Sequence, residues 1–128
     1  MSKIRKYKVS ATVPTGETTA SAYTSPVRGR ILAVGVDYDT NTCTVDLDTD
    51  GEAAAQKILN LAASNTDVII YPRVALEDNT GTALDLSDTE GGDTAMYGHF
   101  VVYGRLKLSL ASATAGDTVS VHIIVEED

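Results

Sequence analysis

The sequence predicts an all-β protein: an antiparallel β-sandwich, jelly-roll-like, with about eight short strands in one domain spanning residues 1–128. Three observations predict it. Apolar residues recur with a period of two. Clusters of Gly, Pro, Asn and Asp punctuate the chain at roughly 8–12-residue intervals. No segment sustains the apolar stripe of an amphipathic helix, so helix should fall below about a tenth of the residues, against the usual third. A chain of 128 residues is long enough to bury one core, and 43% hydrophobic with 22% charged residues is a globular composition.

Tyr7, Val9, Ala11 and Val13 alternate with Lys8, Ser10 and Thr12, which reads as the first strand. Pro14-Thr15-Gly16 ends it, because proline removes a donor and glycine permits a positive φ. A weaker strand covers Thr18 to Tyr23. Val27 to Tyr38 follows, with Leu32, Val34, Val36 and Tyr38 on one face and Ile31, Ala33 and Gly35 on the other. Both faces are apolar or small at its centre, so it should lie mid-sheet and be covered on both sides. Asp39-Thr40-Asn41-Thr42 is a turn leading to Cys43, Val45 and Leu47, which face inward against Thr44, Asp46 and Asp48; the two strands read as a hairpin.

Glu52 to Leu59 has high helix propensity but no clean stripe, which favours a loop or single helical turn and then a strand over residues 57–63. Val68-Ile69-Ile70-Tyr71 reads as a short buried strand stopped by Pro72. Val74-Ala75-Leu76 and Thr82-Ala83-Leu84 flank a hairpin loop in which Gly81 is placed for a left-handed conformation. Ser87 to Thr94 is acidic and Gly-rich, the pattern of a mobile surface loop, and Phe100 to Tyr103 is the next strand. Leu106, Leu108 and Leu110 then answer Val119, Val121, Ile123 and Val125 across Ala115-Gly116-Asp117, a second hairpin. The expected core contains Val9, Leu32, Val34, Val36, Val45, Leu47, Ile69, Leu106, Leu108, Val121 and Ile123.

Charge is unevenly spread. The net charge is −8, yet Lys3, Arg5, Lys6 and Lys8 place four of the ten basic residues in the first eight positions. Residues 1–8 therefore read as a short basic arm on an acidic body, able to dock on an acidic protein neighbour. The same lysines would also discourage pairing at a sheet edge. An acidic body repels nucleic acid and anionic membranes, and no apolar run is long enough to span a bilayer. No apolar segment with a small-residue cleavage site follows the basic residues, so a secretory signal is not expected. One cysteine cannot form an internal disulfide.

Few residues suggest chemistry. Asp46-Leu47-Asp48-Thr49-Asp50-Gly51-Glu52 opens like a calcium loop, but the position needing a bidentate acid is Lys57, so no calcium site is expected. A solvent-facing strand row explains the same acids. Asp88, Glu90 and Asp93 form a second acidic cluster of the kind loops carry for solubility. Cys43, His99 and His122 are the only soft or nitrogen ligands, too few for zinc, and Cys43 falls on an inward row. No nucleophile elbow or phosphate-binding glycine loop is present, so neither an enzyme nor a bound cofactor is expected. A carbohydrate-binding module would want aromatic platforms. The chain has no Trp, and Tyr23, Tyr97 and Tyr103 read as buried by default.

Two segments support a resemblance. Ala22-Tyr23-Thr24-Ser25-Pro26-Val27-Arg28-Gly29-Arg30-Ile31 leads into the central strand, and Tyr71-Pro72-Arg73-Val74 precedes the Asp78-Asn79-Thr80-Gly81 hairpin. With Gly104-Arg105-Leu106-Lys107-Leu108 and Val119-Ser120-Val121, the chain over residues 22–125 resembles small β-rich virion structural proteins of tailed bacteriophages. That resemblance implies a non-enzymatic protein assembled in the host cytoplasm into the virion, where it decorates or cements the capsid shell. A head–tail junction or tail position is the alternative. The implied partner is the major capsid protein, with a homo-oligomer, a trimer on a three-fold axis, as the assembly. Lys3, Arg5, Lys6, Lys8, Arg28, Arg30 and Arg73 are the expected partner-binding residues, with the arm and the Ser87 to Thr94 loop changing order on assembly.

Overall fold

The computed structural model describes residues 2–86 and 94–127, which form thirteen strands and no helix. The all-β class is as expected; the strands are more numerous than the eight or so expected, and several are only two or three residues long. Most belong to two antiparallel sheets. Sheet A is built on β3 (Val27–Asp37), which pairs on one side with β13 (Thr118–Glu127), and β13 in turn pairs with β1 (Lys3–Thr12). The other edge of β3 is shared. Its first residues pair with β11 (Val101–Gly104), and Val34, Gly35 and Val36 pair with β6 (Val68–Ile70). Sheet B runs β2 (Ala20–Tyr23), β12 (Leu106–Ala111), β4 (Cys43–Thr49), β5 (Lys57–Ser64).

The period-two pattern explains how the sheets meet. Val45 and Leu47 of β4 and Leu106, Leu108 and Leu110 of β12 are buried, as are Val34, Val36, Val119, Val121, Ile123 and Val125 of sheet A. These rows form one continuous core with Val9, Ala11 and Val102. Between β6 and β11 the chain makes an excursion beside the edge of β3. There β7 (Val74–Ala75) pairs with β10 (Tyr97–Gly98), and β8 (Asp85–Leu86) pairs with β9 (Thr94–Ala95). The expected hairpin around Gly81 is present: Leu84 N–H donates to Leu76 O at 2.9 Å, and Gly81 has φ of +87°. The Ala-rich segment after Asp50 is a loop, and β5 starts at Lys57 as expected.

Two expected hairpins are corrected. β3 and β4 belong to different sheets, and so do β12 and β13. The turns at Asp39–Thr42 and Ala115–Asp117 carry the chain across the core instead of along a sheet. Leu106, Leu108 and Leu110 do answer Val119, Val121 and Ile123, but through side chains packed face to face. Alternating burial has the same period whether two strands pair sideways or stack, so the pattern alone did not separate the cases.

Two core positions are corrected as well. Leu32 is only half-buried because β3 bulges there: Ile124 pairs with Ala33, but Val125 pairs with Ile31. The extra residue shifts the phase, so Val27 and Ile31 face the core before the bulge and Val34 and Val36 after it. Ala33 and Val34 are both buried, so both faces are covered there, but Gly35 is only half-buried beneath an open hollow, and the double coverage expected along the centre of β3 is confined to Ala33. Ile69 is 61% exposed, because β6 is a three-residue edge strand and, among the described residues, no layer lies outside it.

Of the two readings of the basic residues, an arm and a sheet edge, the structure shows the edge, because β1 is the outermost strand of sheet A. Residues 3–8 are the outer half of β1, in register with β13 from Lys3–Glu127 to Lys8–His122. The chain continues this pairing because Tyr7 and Val9 keep the alternation of the core rows. Ser87–Asp93 of the expected loop lie outside the described residues.

Candidate interaction surface

Strand parity sets what the outer face of sheet A displays. β1 contributes Ile4, Lys6, Lys8, Ser10 and Thr12, opposite Glu126, Ile124, His122, Ser120 and Thr118 of β13. The pairs Ser10–Ser120 and Thr12–Thr118 share hydroxyl hydrogen bonds of 2.7 and 2.8 Å, which hold the register at one end. At the other end Arg28 and Arg30 of β3 lie opposite Tyr103 and Val101 of β11. The Arg28 guanidinium sits 5.9 Å from the Tyr103 ring centroid, and Arg30 forms a charged hydrogen bond with Glu126.

This face is apolar where a solvated face should be polar. Ile4 is 63% exposed, Val101 63% and Tyr103 73%, and Ile69 joins them beside Gly35. A hollow of about 480 Å³ lies over Gly35, walled by Val68, Ile69 and Ile124, with Lys6 and His122 on one side and Asp37 and Asp67 on the other. His122 Nδ1 is buried there without a hydrogen-bond partner.

The outer face of sheet B is different. Lys57 Nζ lies 3.1 Å from Asp48 and 3.6 Å from Asp46, and Arg105 Nε lies 2.6 Å from Asp50. Glu52 accepts from Thr49 and Gln56. The Lys57 ammonium is held above its ordinary pKa, first by the hydrogen bond to Asp48 and then by the charges of both acids. The acidic string is thus the solvent-facing row of β4, compensated in place by cations from neighbouring strands. Among the described residues no group of three metal-ligating side chains converges. Asp88, Glu90 and Asp93 lie outside them. Cys43 is fully buried, and burial, then the nearby Asp117 charge, pushes its thiol up.

Of the residues expected to bind partners, the fold gathers Lys6, Lys8, Arg28 and Arg30 on the outer face of sheet A. Lys3 and Arg5 fall on the other row of β1, past the end of the core, where Arg5 lies 3.6 Å from Glu127 and Tyr7 donates to the same carboxylate at 2.6 Å. Arg73 has a local job. Its Nη1 donates to Pro72 O at 2.8 Å and Leu32 O at 3.4 Å, fastening the excursion to the β3 bulge. Tyr23 (45%), Tyr97 (61%) and Tyr103 (73%) are exposed, contrary to expectation. Tyr103 belongs to sheet A and Tyr23 to sheet B, under Arg105 at 4.0 Å, so these two do not share a platform.

Ile4, Ile124 and Val101 are not singled out by the sequence, which assigns Ile69 to the core and reads Tyr103 as a buried tyrosine. A signal existed: Val68-Ile69-Ile70, Val101-Val102-Tyr103 and Ile123-Ile124-Val125 are runs where alternation fails, and all three lie on sheet A. No family model matches the chain, and neither a curated protein nor a solved structure matches it.

Proposed function

We propose that this chain is a non-catalytic docking domain, a structural protein of a tailed-bacteriophage virion that decorates or cements the capsid shell. One observation supports docking above all. Exposed Ile4, Ile69, Val101 and Tyr103 sit on the same sheet face as Lys6, Lys8, Arg28 and Arg30, in a chain of net charge −8. Apolar residues ringed by Arg, Lys and Tyr are the composition of a protein contact, and a positive face on an acidic molecule orients the approach. The virion assignment rests on the resemblance of residues 22–125. The partner is then the capsid protein, and a trimer suits a three-fold axis, where several modest contacts add through avidity.

The test is co-sedimentation of the purified protein with undecorated capsids of the phage that encodes it, at micromolar concentration. Binding that weakens at least tenfold in the Tyr103→Ser/Arg28→Glu double variant supports the reading. Absence of co-sedimentation by the unaltered protein overturns decoration; recovery with tails instead selects the head–tail alternative. Deleting residues 1–8 is unsuitable because it strips six ladder pairs from β1.

A further inference from the structure

Gly35 sits mid-strand in β3, between His122 of β13 and Ile69 of β6. A glycine there weakens a strand, since it brings no side chain to pack and loses the most backbone freedom on folding. Elsewhere the geometry demands glycine. Gly29 has φ of +129°, and a Cβ there would run into the Glu126 backbone carbonyl. Gly35 meets neither condition: its φ is not positive, and a Cβ would find nothing nearer than His122 Cβ at 3.9 Å. The backbone would accept a larger residue. The bare backbone of Gly35 forms part of the lining of the hollow walled by Val68, Ile69 and Ile124.

We infer that Gly35 keeps this hollow open as a socket for one apolar side chain of a partner protein whose flanking carboxylates meet Lys6 and Lys8. The inference rests on the docking reading of sheet A. The hollow opens to solvent, where a small molecule would stay largely uncovered. A protein surface would instead cover it together with the neighbouring Ile4 and Ile124, and a central apolar anchor in such a pocket is where binding energy concentrates. Charge selects the partner. Among the described residues Lys6, Lys8 and Arg28 make no ion pair, whereas Lys57, Arg30 and Arg105 are each matched by an acid of this chain. Carboxylates of the partner belong on the Lys6 side, because Asp37 and Asp67 occupy the other.

The experiment compares the unaltered protein with Gly35→Ala and Gly35→Leu. Both variants should fold, with melting temperatures equal to or a few degrees above the unaltered protein. The probe is a short peptide with a central leucine flanked by aspartates and glutamates, titrated to millimolar concentration and read by amide chemical shifts. Shifts are expected at Gly35, Ile69, His122 and Ile124, absent with a lysine-flanked counterpart and reduced at least tenfold in affinity by Gly35→Leu. On undecorated capsids the same variant should lose at least tenfold in binding. No shifts at these residues, or full capsid binding by a folded Gly35→Leu, overturns the socket. Peptide shifts at the hollow without capsid binding by the unaltered protein keep the socket and remove the virion assignment. If either variant unfolds, the claim that the backbone tolerates a side chain here is wrong, and the socket falls with it.

Discussion

Two glycines six residues apart on β3, Gly29 and Gly35, should respond oppositely to the same substitution, although a sequence scan treats them alike. Gly29→Ala forces a Cβ onto a backbone with φ of +129° and drives it into Glu126 O, with Val125 Cγ1 at only 3.0 Å. The conformational cost is about 1–3 kcal/mol, and overpacking against a paired backbone adds about 1–3 kcal/mol. The sum, roughly 4 kcal/mol, is a large part of the 5–15 kcal/mol that holds a typical domain together. With a urea slope of about 2 kcal/mol/M, the midpoint should fall by about 2 M. Gly35→Ala, with nothing within 3.9 Å, should instead gain about 0.5–1 kcal/mol. Equilibrium urea unfolding followed by far-UV circular dichroism measures both. If the two variants lie within about 1 kcal/mol of each other, the backbone reading of Gly29 is refuted.

Leu108→Ala, which empties a fully buried site at the centre of sheet B, should cost about 2–5 kcal/mol, whereas Ile69→Ala should stay within about 0.5 kcal/mol; thermal unfolding of both decides whether Ile69 belongs to the core. Melting temperatures in chelator and in millimolar calcium should coincide, since Lys57 already sits between Asp46 and Asp48; a calcium-dependent rise would contradict this. The Asp39 carboxylate accepts from Thr118 N–H at 3.0 Å and Thr40 N–H at 2.8 Å, and these bonds hold it below the ordinary 3.8. A depressed folded-state pKa means its contribution is complete above that ordinary value and lost as pH falls through the lower folded one. Asp39→Asn should therefore flatten the acid limb of a stability–pH curve, and an unchanged limb would show that Asp39 does not act this way.

How far the sequence could be read depends on what each pattern encodes. Alternation encodes which side chains are buried, so nine of the eleven core positions named from it are buried, from Val9 to Ile123. It is silent on pairing. The short turns at Asp39–Thr42 and Ala115–Asp117 looked like hairpin turns because a crossing between sheets can be equally short. The bulge at Leu32 escaped for another reason: it depends on how β3 pairs with β13, some ninety residues away, and leaves only a shift of phase between Ile31 and Val34. Ile69 failed because an apolar run was read as buried on both faces, when β6 has an open outer face.

That last failure bears directly on the site. A fully apolar run in a strand means either two covered faces or one covered face and one kept apolar for contact, and sequence alone cannot choose between them. The fold chooses. At Ala33 the second face is covered; at Ile69, Val101 and Tyr103 it is open. The basic residues were legible, but not which of them act together: parity along β1 splits Lys6 and Lys8 from Lys3 and Arg5, and the excursion keeps Arg73 for Leu32. Sheet B shows what an ordinary solvated face of this chain looks like, with Asp46, Asp48 and Asp50 each matched by Lys57 or Arg105. Against that internal reference the outer face of sheet A departs twice over, in its exposed apolar residues and in three cations, Lys6, Lys8 and Arg28, that no acid of the described residues answers, where sheet B has Lys107 alone. Solubility alone explains neither departure, and a partner carrying apolar side chains among carboxylates explains both.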